Sequence, residues 1–384
     1  MKKLVFSLAI LGAIFTSCSS DDDNKNTGSD IPATAVLTGN ITADLTLNAE
    51  TVYTLRGATY VKPGVTLTIP AGTLIEADAS FDKVAFLAIE KGAKMMAQGT
   101  AADPIIFTSN KANPAPQDWG GLVICGNAIT NLEPTAGNAQ AEVTGLTYGG
   151  TNPADNSGVY SHIIVEYSGN KINDDAEFNG VTFYAVGSGT TVNNILVYMG
   201  SDDGFEWFGG SVNATNLAAI GCEDDSFDWT EGWNGTVENL YSDQSVAIGV
   251  SSDSRGIEAD NNQNNPVLAP ISNPTLKNVT LLGRNNATVA KEAGIWLRRG
   301  TKATISNVYI SGFKGTVAGS GYGINFDGTD STTFFTANPL ANITIANVTN
   351  LTNLAPGVGY AATTTATGAG AGAAKPTWMS WMGL

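Results

Sequence analysis

Residues 204–210 read Gly-Phe-Glu-Trp-Phe-Gly-Gly, and residues 226–229 repeat the pattern as Ser-Phe-Asp-Trp. The shared unit is a glycine or serine followed by a hydrophobic residue, a variable residue and a second hydrophobic residue. Since side chains alternate between the two faces of a β-strand, each unit predicts a short strand with one apolar face. The unit occurs six times along the chain: Gly180–Phe183, Gly204–Trp207, Ser226–Trp229, Gly256–Ala259, Gly294–Leu297 and Gly323–Phe326.

A second unit, asparagine before an aliphatic residue, follows each copy of the first. Its copies are Asn194-Ile195, Asn216-Leu217, Asn239-Leu240, Asn278-Val279, Asn307-Val308 and Asn347-Val348. The first steps are 22 residues (194 to 216) and 23 residues (216 to 239), and the longer later steps indicate one turn plus an inserted loop. Two short strands in a period near twenty residues predict an all-β, single-stranded parallel β-helix. Right-handedness follows from the general rule for parallel crossovers.

The same solenoid is predicted to extend over residues 33–384, with no helix. Residues 127–158 lose the strand pattern and are rich in Asn, Thr, Gly and Pro, which predicts a long projecting loop. Trp378 and Trp381, close to the end of the chain, are expected to cap the open end of the solenoid. The turn asparagines are expected to stack as a structural ladder, with His162 in the equivalent place one turn earlier.

Residues 1–17 have the features of a signal peptide: Lys2 and Lys3 precede a short apolar stretch. Phe15-Thr16-Ser17-Cys18 resembles the lipobox of bacterial lipoproteins, which implies lipidation of Cys18 after cleavage. The alternative is a plain secretory signal with an incidental cysteine. Residues 18–32 form an acidic tether, and Ser20-Asp21-Asp22-Asp23 resembles the surface-export signal of Bacteroidota lipoproteins. The expected location is the outer membrane, with the protein lipid-anchored and facing the exterior.

Four further stretches resemble the Bacteroidota cell-surface lipoproteins that carry a pectin-lyase-like β-helix. They are Val61–Ile69, Ala71–Thr73, Trp119–Leu122 and Gly200–Gly210. The resemblance covers nearly the whole mature chain. It implies the fold and the location, but it implies no catalytic residues, because this group has no settled ones to transfer.

The composition argues against two kinds of ligand, nucleic acids and metals held by histidine and cysteine. A net charge of −16 argues against nucleic acid, since no basic stripe is available for phosphate. One histidine and three cysteines leave no His/Cys metal cluster. Cys125 and Cys222 lie in apolar strand-like stretches and are expected to be buried thiols.

The repeat also predicts a column of acidic side chains on the outside of the solenoid. If the large apolar residues face the core, the residues between them face outward: Thr182, Glu206, Asp228, Glu258, Trp296 and Asn325. Asp202, Asp203, Asp224 and Asp225 lie in the turns beside this column. Carboxylates stacked about 4.8 Å apart repel one another. A bound cation, raised carboxyl pKa values or pairing with Arg255 and Arg298 would compensate for the repulsion. Alternatively, the side chains splay into water and form no site.

Two functional hypotheses follow. The preferred one is a non-catalytic surface protein that binds a glycan or docks on an outer-membrane transporter or assembly. Its ligand-binding residues would be Glu206, Asp228, Glu258, Trp296 and Arg298, and the loop 127–158 and the exposed Trp296 would be the contact regions. Calcium is the cation that fits a site made only of carboxylates, with Asp202, Asp203, Asp224 and Asp225 as candidate ligands.

The alternative hypothesis is a polysaccharide-cleaving hydrolase or lyase that uses Asp202, Asp224, Asp225 and Asp228. Residues 202–205 and 224–227 resemble the Asp-Asp strand motif of polygalacturonases, and glycoside hydrolysis requires two carboxyl groups. The His-Gly loop and a clear Arg-x-Lys strand of those enzymes are missing from this sequence.

Overall fold

The computed structural model describes residues 33–132, 138–173, 176–289, 291–317 and 320–384. Cys18 and the acidic tether lie outside these residues. The described chain coils into a parallel β-helix in which 24 strands form one sheet, as the repeat predicts. The strands are β1 Ala33–Ile41, β2 Leu45–Thr46, β3 Thr51–Val61, β4 Thr66–Pro70, β5 Leu74–Ala77, β6 Phe86–Ile89, β7 Lys94–Gln98, β8 Ile105–Ser109, β9 Leu122–Cys125, β10 Ala139–Gln140, β11 Thr147–Tyr148, β12 Gly158–Glu166, β13 Val181–Tyr184, β14 Thr191–Tyr198, β15 Phe205–Phe208, β16 Asn213–Ile220, β17 Phe227–Thr230, β18 Thr236–Asp243, β19 Ser254–Ala259, β20 Thr275–Leu282, β21 Glu292–Leu297, β22 Thr304–Ser311, β23 Tyr322–Phe326, β24 Leu340–Ala346, β25 Asn350–Thr352 and β26 Tyr360–Ala362.

Two stacks of parallel strands build most of the solenoid. The first stack runs β9, β13, β15, β17, β19, β21, β23 and contains the glycine-led strands. The second runs β12, β14, β16, β18, β20, β22, β24 and contains the asparagine-led strands. Each strand pairs with its equivalent in the next turn, so the sequence repeat is the repeat of the structure.

Aromatic side chains fill the core where the repeat predicts them. Phe205, Trp207, Phe227 and Trp229 are buried. The rings stack along the solenoid axis, with centroids 5.7 Å apart for Phe205 and Phe227 and 4.5 Å apart for Trp207 and Trp233. Both described cysteines, Cys125 and Cys222, are free buried thiols, as expected.

The asparagine ladder is a continuous chain of side-chain hydrogen bonds. Asn216 donates to Asn194 at 2.9 Å, Asn239 to Asn216 at 2.8 Å, and Asn278 to Asn239 at 3.0 Å. Each of these residues has a positive φ, a conformation that asparagine tolerates better than most residues. His162 has the same conformation at the start of the ladder.

The last ladder position differs from the sequence prediction. Asn342, not Asn347, donates to Asn307 at 3.3 Å, because Ile343 is the residue that aligns with Val308. Asn347 instead donates to Asn285 at 2.9 Å. The spacing alone is ambiguous here, since both asparagines precede an aliphatic residue.

The described part of the loop 127–158 packs on the solenoid instead of projecting from it. β10 and β11 pair as an antiparallel hairpin. Val143 and Leu146 between them are buried, and Tyr148 packs on Tyr184 with ring centroids 4.8 Å apart. Apolar residues on the outer face of the first stack provide this second, smaller core.

The C-terminal segment covers a side of the solenoid, which corrects the expected end cap. Trp378 and Trp381 lie in a short 3₁₀ helix, Thr377–Met382, that packs on Ile164, Leu196 and Tyr241 of the second stack. The side of the solenoid offers a row of outward apolar residues that would otherwise face water. A second 3₁₀ helix spans Gln244–Val246.

One α-helix, α1 (Thr329–Ala337), interrupts the otherwise all-strand pattern. It was not predicted, because its nine residues are too few to show a helical period. It packs through Phe335 on Phe326 near the C-terminal end of the first stack, with ring centroids 5.7 Å apart. Within the described residues, no helix is both long and apolar enough to span a bilayer.

Candidate cation and ligand site

The strand register aligns the acidic column as alternation predicts. Thr182 pairs with Glu206, Glu206 with Asp228, and Asp228 with Glu258 on consecutive turns. The column continues through Trp296 to Asn325. Because the residues on either side of each acid are buried in the core, the acids lie on the outer surface of the first stack.

The acidic side chains do not splay into open water. They line a cleft of about 970 Å³. Only 4% of Asp225, 7% of Asp203 and 8% of Glu258 is exposed. The acidic residues of the cleft are Glu142, Glu177, Asp202, Asp203, Glu206, Glu223, Asp224, Asp225, Asp228, Asp253 and Glu258, and Arg298 is the basic residue among the described lining. We name this space the acidic cleft.

Seven of these carboxylates form three overlapping groups, and the oxygens within each group lie within 4.8 Å of one another. The groups are Asp202/Asp203/Asp224, Asp203/Glu206/Asp228 and Asp225/Asp228/Glu258. The four candidate metal ligands from the sequence are therefore brought together with the outward column. Asp203 and Asp228 each belong to two groups, so the three groups form one connected cluster.

Hydrogen bonds from the backbone of the next turn position several of these carboxylates. Asp203 Oδ1 accepts from the amide of Asp225 at 2.9 Å, and Asp225 Oδ1 accepts from the amide of Arg255 at 2.5 Å. Asn179 Nδ2 donates to Glu206 Oε2 at 2.6 Å. Asp228 Oδ1 is enclosed and has no hydrogen-bond partner. Protein donors therefore orient several carboxylates of the cluster but leave one of its enclosed oxygens without a hydrogen bond.

Burial and mutual repulsion raise the pKa values of these carboxyls. The pKa values of Asp203, Asp225 and Asp228 lie well above the ordinary aspartate range, first because burial disfavours the charged form and then because neighbouring carboxylates repel it. The same causes act on Asp202 and Glu206. Burial raises the pKa of Asp224 to about 6, while the hydrogen bond from Ser251 and the charge of Arg255 oppose the shift.

Within the described residues, arginines form salt bridges with only one end of the column. Arg298 pairs with Glu258 and, through Nε at 2.7 Å, with Asp260. Arg255 Nε lies 3.6 Å from Glu258. Among the described residues, no lysine or arginine forms a salt bridge with the other six carboxylates of the cluster. Of the three compensations that the sequence allows, arginine pairing therefore acts on Glu258, and the rest of the cluster needs protons or a cation.

Trp296 is not the exposed contact surface expected from the sequence. The guanidinium groups of Arg255 and Arg298 lie over its ring, with their carbons 4.0 and 4.8 Å from the centroid. Trp296 is half-buried, and its indole nitrogen is enclosed without a partner. The ring therefore packs beneath two arginines that lie beside Glu258, a contact that is favourable because a cation is attracted to the face of an indole ring.

Several residues of the cleft were missed by sequence reasoning, because they come from inserted loops and not from the repeat. Glu142 comes from the loop between β10 and β11 and accepts a hydrogen bond from Tyr184 at 2.8 Å. Ile248, Val250 and Ser251 come from the segment between β18 and β19. The only sequence signal for this segment is the step of 39 residues (239 to 278), which reveals an insertion without placing it.

The family assignment agrees with this architecture. Residues 39–382 match the family model described as a pectate-lyase-like β-helix domain. The chain is a member of this pectate-lyase-like β-helix family. No curated protein sequence matches this β-helix protein at a significant level.

Two solved structures resemble this β-helix protein in outline. They are the A-modules of the mannuronan C-5 epimerases AlgE4 and AlgE6 of Azotobacter vinelandii, at 10% and 13% sequence identity. Each match covers 82% of this chain and 90% of the other, with TM-scores of 0.37 and 0.33. No functional residue is transferred from either structure.

Proposed function

We propose that this protein binds a divalent cation, with calcium the best fit, in the acidic cleft and uses it to bind a glycan. The observation that supports this function is the cluster of seven carboxylates, of which only Glu258 is paired with arginine. Such a cluster is stable when protons or cations reduce its charge. A cation leaves the carboxylates ionised and can also contact a ligand in the cleft.

The distances between carboxylate oxygens in the cluster are compatible with calcium binding. Calcium binds six to eight oxygens at about 2.3–2.6 Å, so two ligands of one ion lie at most about 5 Å apart. The oxygens of Asp202, Asp203 and Asp224 fall within 4.8 Å of one another and have no arginine partner. This group is the best candidate for the primary site. The partnerless Oδ1 of Asp228 makes Asp203/Glu206/Asp228 a candidate for a second ion.

The size of the cleft suits an extended polar ligand. A volume of about 970 Å³ lies at the upper end of the range for ligand pockets and has room for a short oligosaccharide. Three protein carboxylates leave several positions of a calcium ion free, and glycan hydroxyls would complete its coordination.

A binding assay with immobilised glycans tests this function. The panel contains laminarin, xylan, polygalacturonate and alginate, in the presence of calcium or of the chelator EGTA. We expect retention on at least one glycan that requires calcium and is lost in Asp203→Asn, because Asp203 is shared by two groups. Asp103→Asn, at an exposed aspartate outside the cleft, is the matched control. Retention that is unaffected by EGTA and by Asp203→Asn would contradict the proposal.

The second candidate function is hydrolysis of a polysaccharide, and the carboxyl pKa values favour it. Burial raises the pKa values of Asp225 and Asp228 well above the ordinary range, whereas Arg298 and Arg255 oppose the effect of burial on Glu258 and hold its pKa at about 7, so carboxyls of different acidity occupy one cleft. A general acid and a base or nucleophile are what glycoside hydrolysis needs. Release of new reducing ends from the same four glycans, abolished by Asp225→Ala, would establish this function instead. A lyase would be recognised by unsaturated products.

We also propose that the protein acts at the outer-membrane surface, anchored through lipidated Cys18. The lipobox-like end and the acidic tether support this location. Surface proteolysis of intact cells is expected to cleave the protein, and protection would contradict the outward orientation. Docking on an outer-membrane transporter stays a prediction, and a native pull-down from the outer membrane tests it.

A further inference from the structure

The segment between β18 and β19, residues 244–253, places apolar side chains beside the acidic cleft. Val246 is 46%, Ile248 71% and Val250 45% exposed, and Ile248 is the most exposed of the large hydrophobic residues in the described chain. Ile248 and Val250 both line the acidic cleft, whose other walls are mostly acidic. Three exposed aliphatic residues within five positions are unusual at the rim of a polar site.

Hydrogen bonds to the floor of the cleft hold this segment in place. The amide of Gly249 donates to Glu223 Oε1 at 2.8 Å, and Ser251 Oγ donates to Asp224 Oδ1 at 2.5 Å. The amide of Ser251 donates to the carbonyl of Glu223 at 2.9 Å. The apolar side chains are therefore fixed at the cleft by the same region that supplies the candidate cation ligands.

We infer that the ligand of the acidic cleft is an uncharged glycan, and that Ile248 and Val250 form the apolar wall on which its sugar rings pack. This inference rests on the proposed cation-dependent glycan binding and names the class of glycan. Two features of the structure support this inference: the negative charge of the cleft and the apolar side chains of the wall.

The charge of the cleft disfavours an anionic polymer even when cations are bound. Two divalent ions together with Arg255 and Arg298 do not fully neutralise the seven carboxylates of the cluster. Glu142, Glu177, Glu223 and Asp253 add further negative charge to the lining. A uronate polymer would thus be repelled by the walls around the ion, whereas a neutral glycan meets no such penalty.

The apolar wall formed by Ile248 and Val250 is complementary to the C–H face of a sugar ring. A pyranose presents hydroxyls at its edge and C–H groups on its faces. With hydroxyls directed at the cation and the carboxylates, a C–H face can cover Ile248 and Val250 and remove their exposed apolar surface from water. Because Ile248 and Val250 line the acidic cleft, the occupant we infer for this wall is the glycan bound in the cleft, and not a membrane or a second copy of the chain.

Calcium-loaded protein with an Ile248→Ser and Val250→Ser double substitution tests the inference. Both positions are exposed, so the variant is expected to fold. Val267→Ser, at a valine that is 61% exposed in a different insertion, is the matched control. Wild-type protein should bind laminarin or xylan more tightly than polygalacturonate or alginate. The double variant should bind the neutral glycan about tenfold more weakly, with unchanged calcium affinity, and the control should match the wild type.

Three results would overturn the inference, and they separate it from the proposed function. Tighter binding of polygalacturonate or alginate would refute the uncharged class while leaving cation-dependent glycan binding in place. Unchanged affinity of the double variant for laminarin and xylan would refute the wall. Calcium binding without retention on any of the four glycans would refute both the inference and the glycan part of the proposed function.

Discussion

Replacing Asp224 with asparagine should stabilise the protein at high pH when no divalent cation is present. The pKa of Asp224 is raised from an ordinary value of 3.8 to about 6, so the folded state binds a proton more tightly than the unfolded chain does. The stability from this group is fully present below pH 4 and is lost as the pH rises through about 6. The shift of about two pKa units corresponds to roughly 3 kcal/mol.

The expected change in melting temperature is measurable. Asparagine cannot ionise, so Asp224→Asn avoids the free-energy cost of keeping an ionised carboxylate buried, which the wild type bears at pH 8. For about 350 folded residues, the entropy of unfolding makes roughly 3 kcal/mol equal to roughly 4 °C. In EGTA, the variant should melt roughly 4 °C above the wild type at pH 8, and the difference should shrink towards zero below pH 4. Circular dichroism melts across this pH range measure the effect.

Calcium should reverse the order of the two proteins. Binding to the folded wild type at a thousand times the dissociation constant adds about 4.1 kcal/mol, which exceeds the advantage of the variant in EGTA, and Asp224→Asn lacks one candidate ligand. With calcium at pH 8, the wild type should therefore melt above the variant. Asp103→Asn is the control for removal of a negative charge elsewhere. A difference that is independent of pH, or that calcium does not change, would refute the reasoning.

Other substitutions test the parts of the account separately. Trp229→Ala should destabilise the protein by about 3–5 kcal/mol, because it removes a fully buried ring; unfolding in denaturant measures this, and a loss below 1 kcal/mol would contradict the packing. Asn239→Ala should cost about 1–3 kcal/mol, since it breaks two ladder hydrogen bonds and places alanine at a φ of 67°, whereas Asn239→Gly should recover the part due to the backbone. Ser251→Ala should speed protease cleavage within residues 247–250 by loosening the segment from Asp224, and Ser252→Ala should not. Cys18→Ala should leave the protein unprocessed or released from the membrane fraction, and retention with a normal lipid label would contradict lipidation.

The sequence predicts the parts of the molecule that repeat. The glycine-led and asparagine-led strands, the inward aromatic residues and the outward acids all follow from alternation and a period near twenty residues. Glu206, Asp228 and Glu258 align as predicted because one fixed register places equivalent residues side by side. Within the asparagine ladder, the last position was predicted wrongly, because Asn342 and Asn347 offered the same pattern.

The sequence does not predict what the insertions do. Residues 138–148 and 244–253 turn an open acidic column into a cleft, and burial then raises the carboxyl pKa values. No repeat places these loops, because their positions depend on individual contacts such as those of Tyr148 with Glu231 and Ser251 with Asp224. The same reason explains Trp296: its place in the column is predictable, but its burial beneath two arginines is not.

Anomalous X-ray diffraction from crystals grown with manganese tests the central claim most directly, because manganese accepts the same oxygen ligands as calcium. The account predicts an anomalous peak within bonding distance of carboxylate oxygens from Asp202, Asp203 and Asp224, displaced by excess calcium and absent in Asp203→Asn. A cleft without such a peak, in crystals that contain manganese at a saturating concentration, would contradict the account.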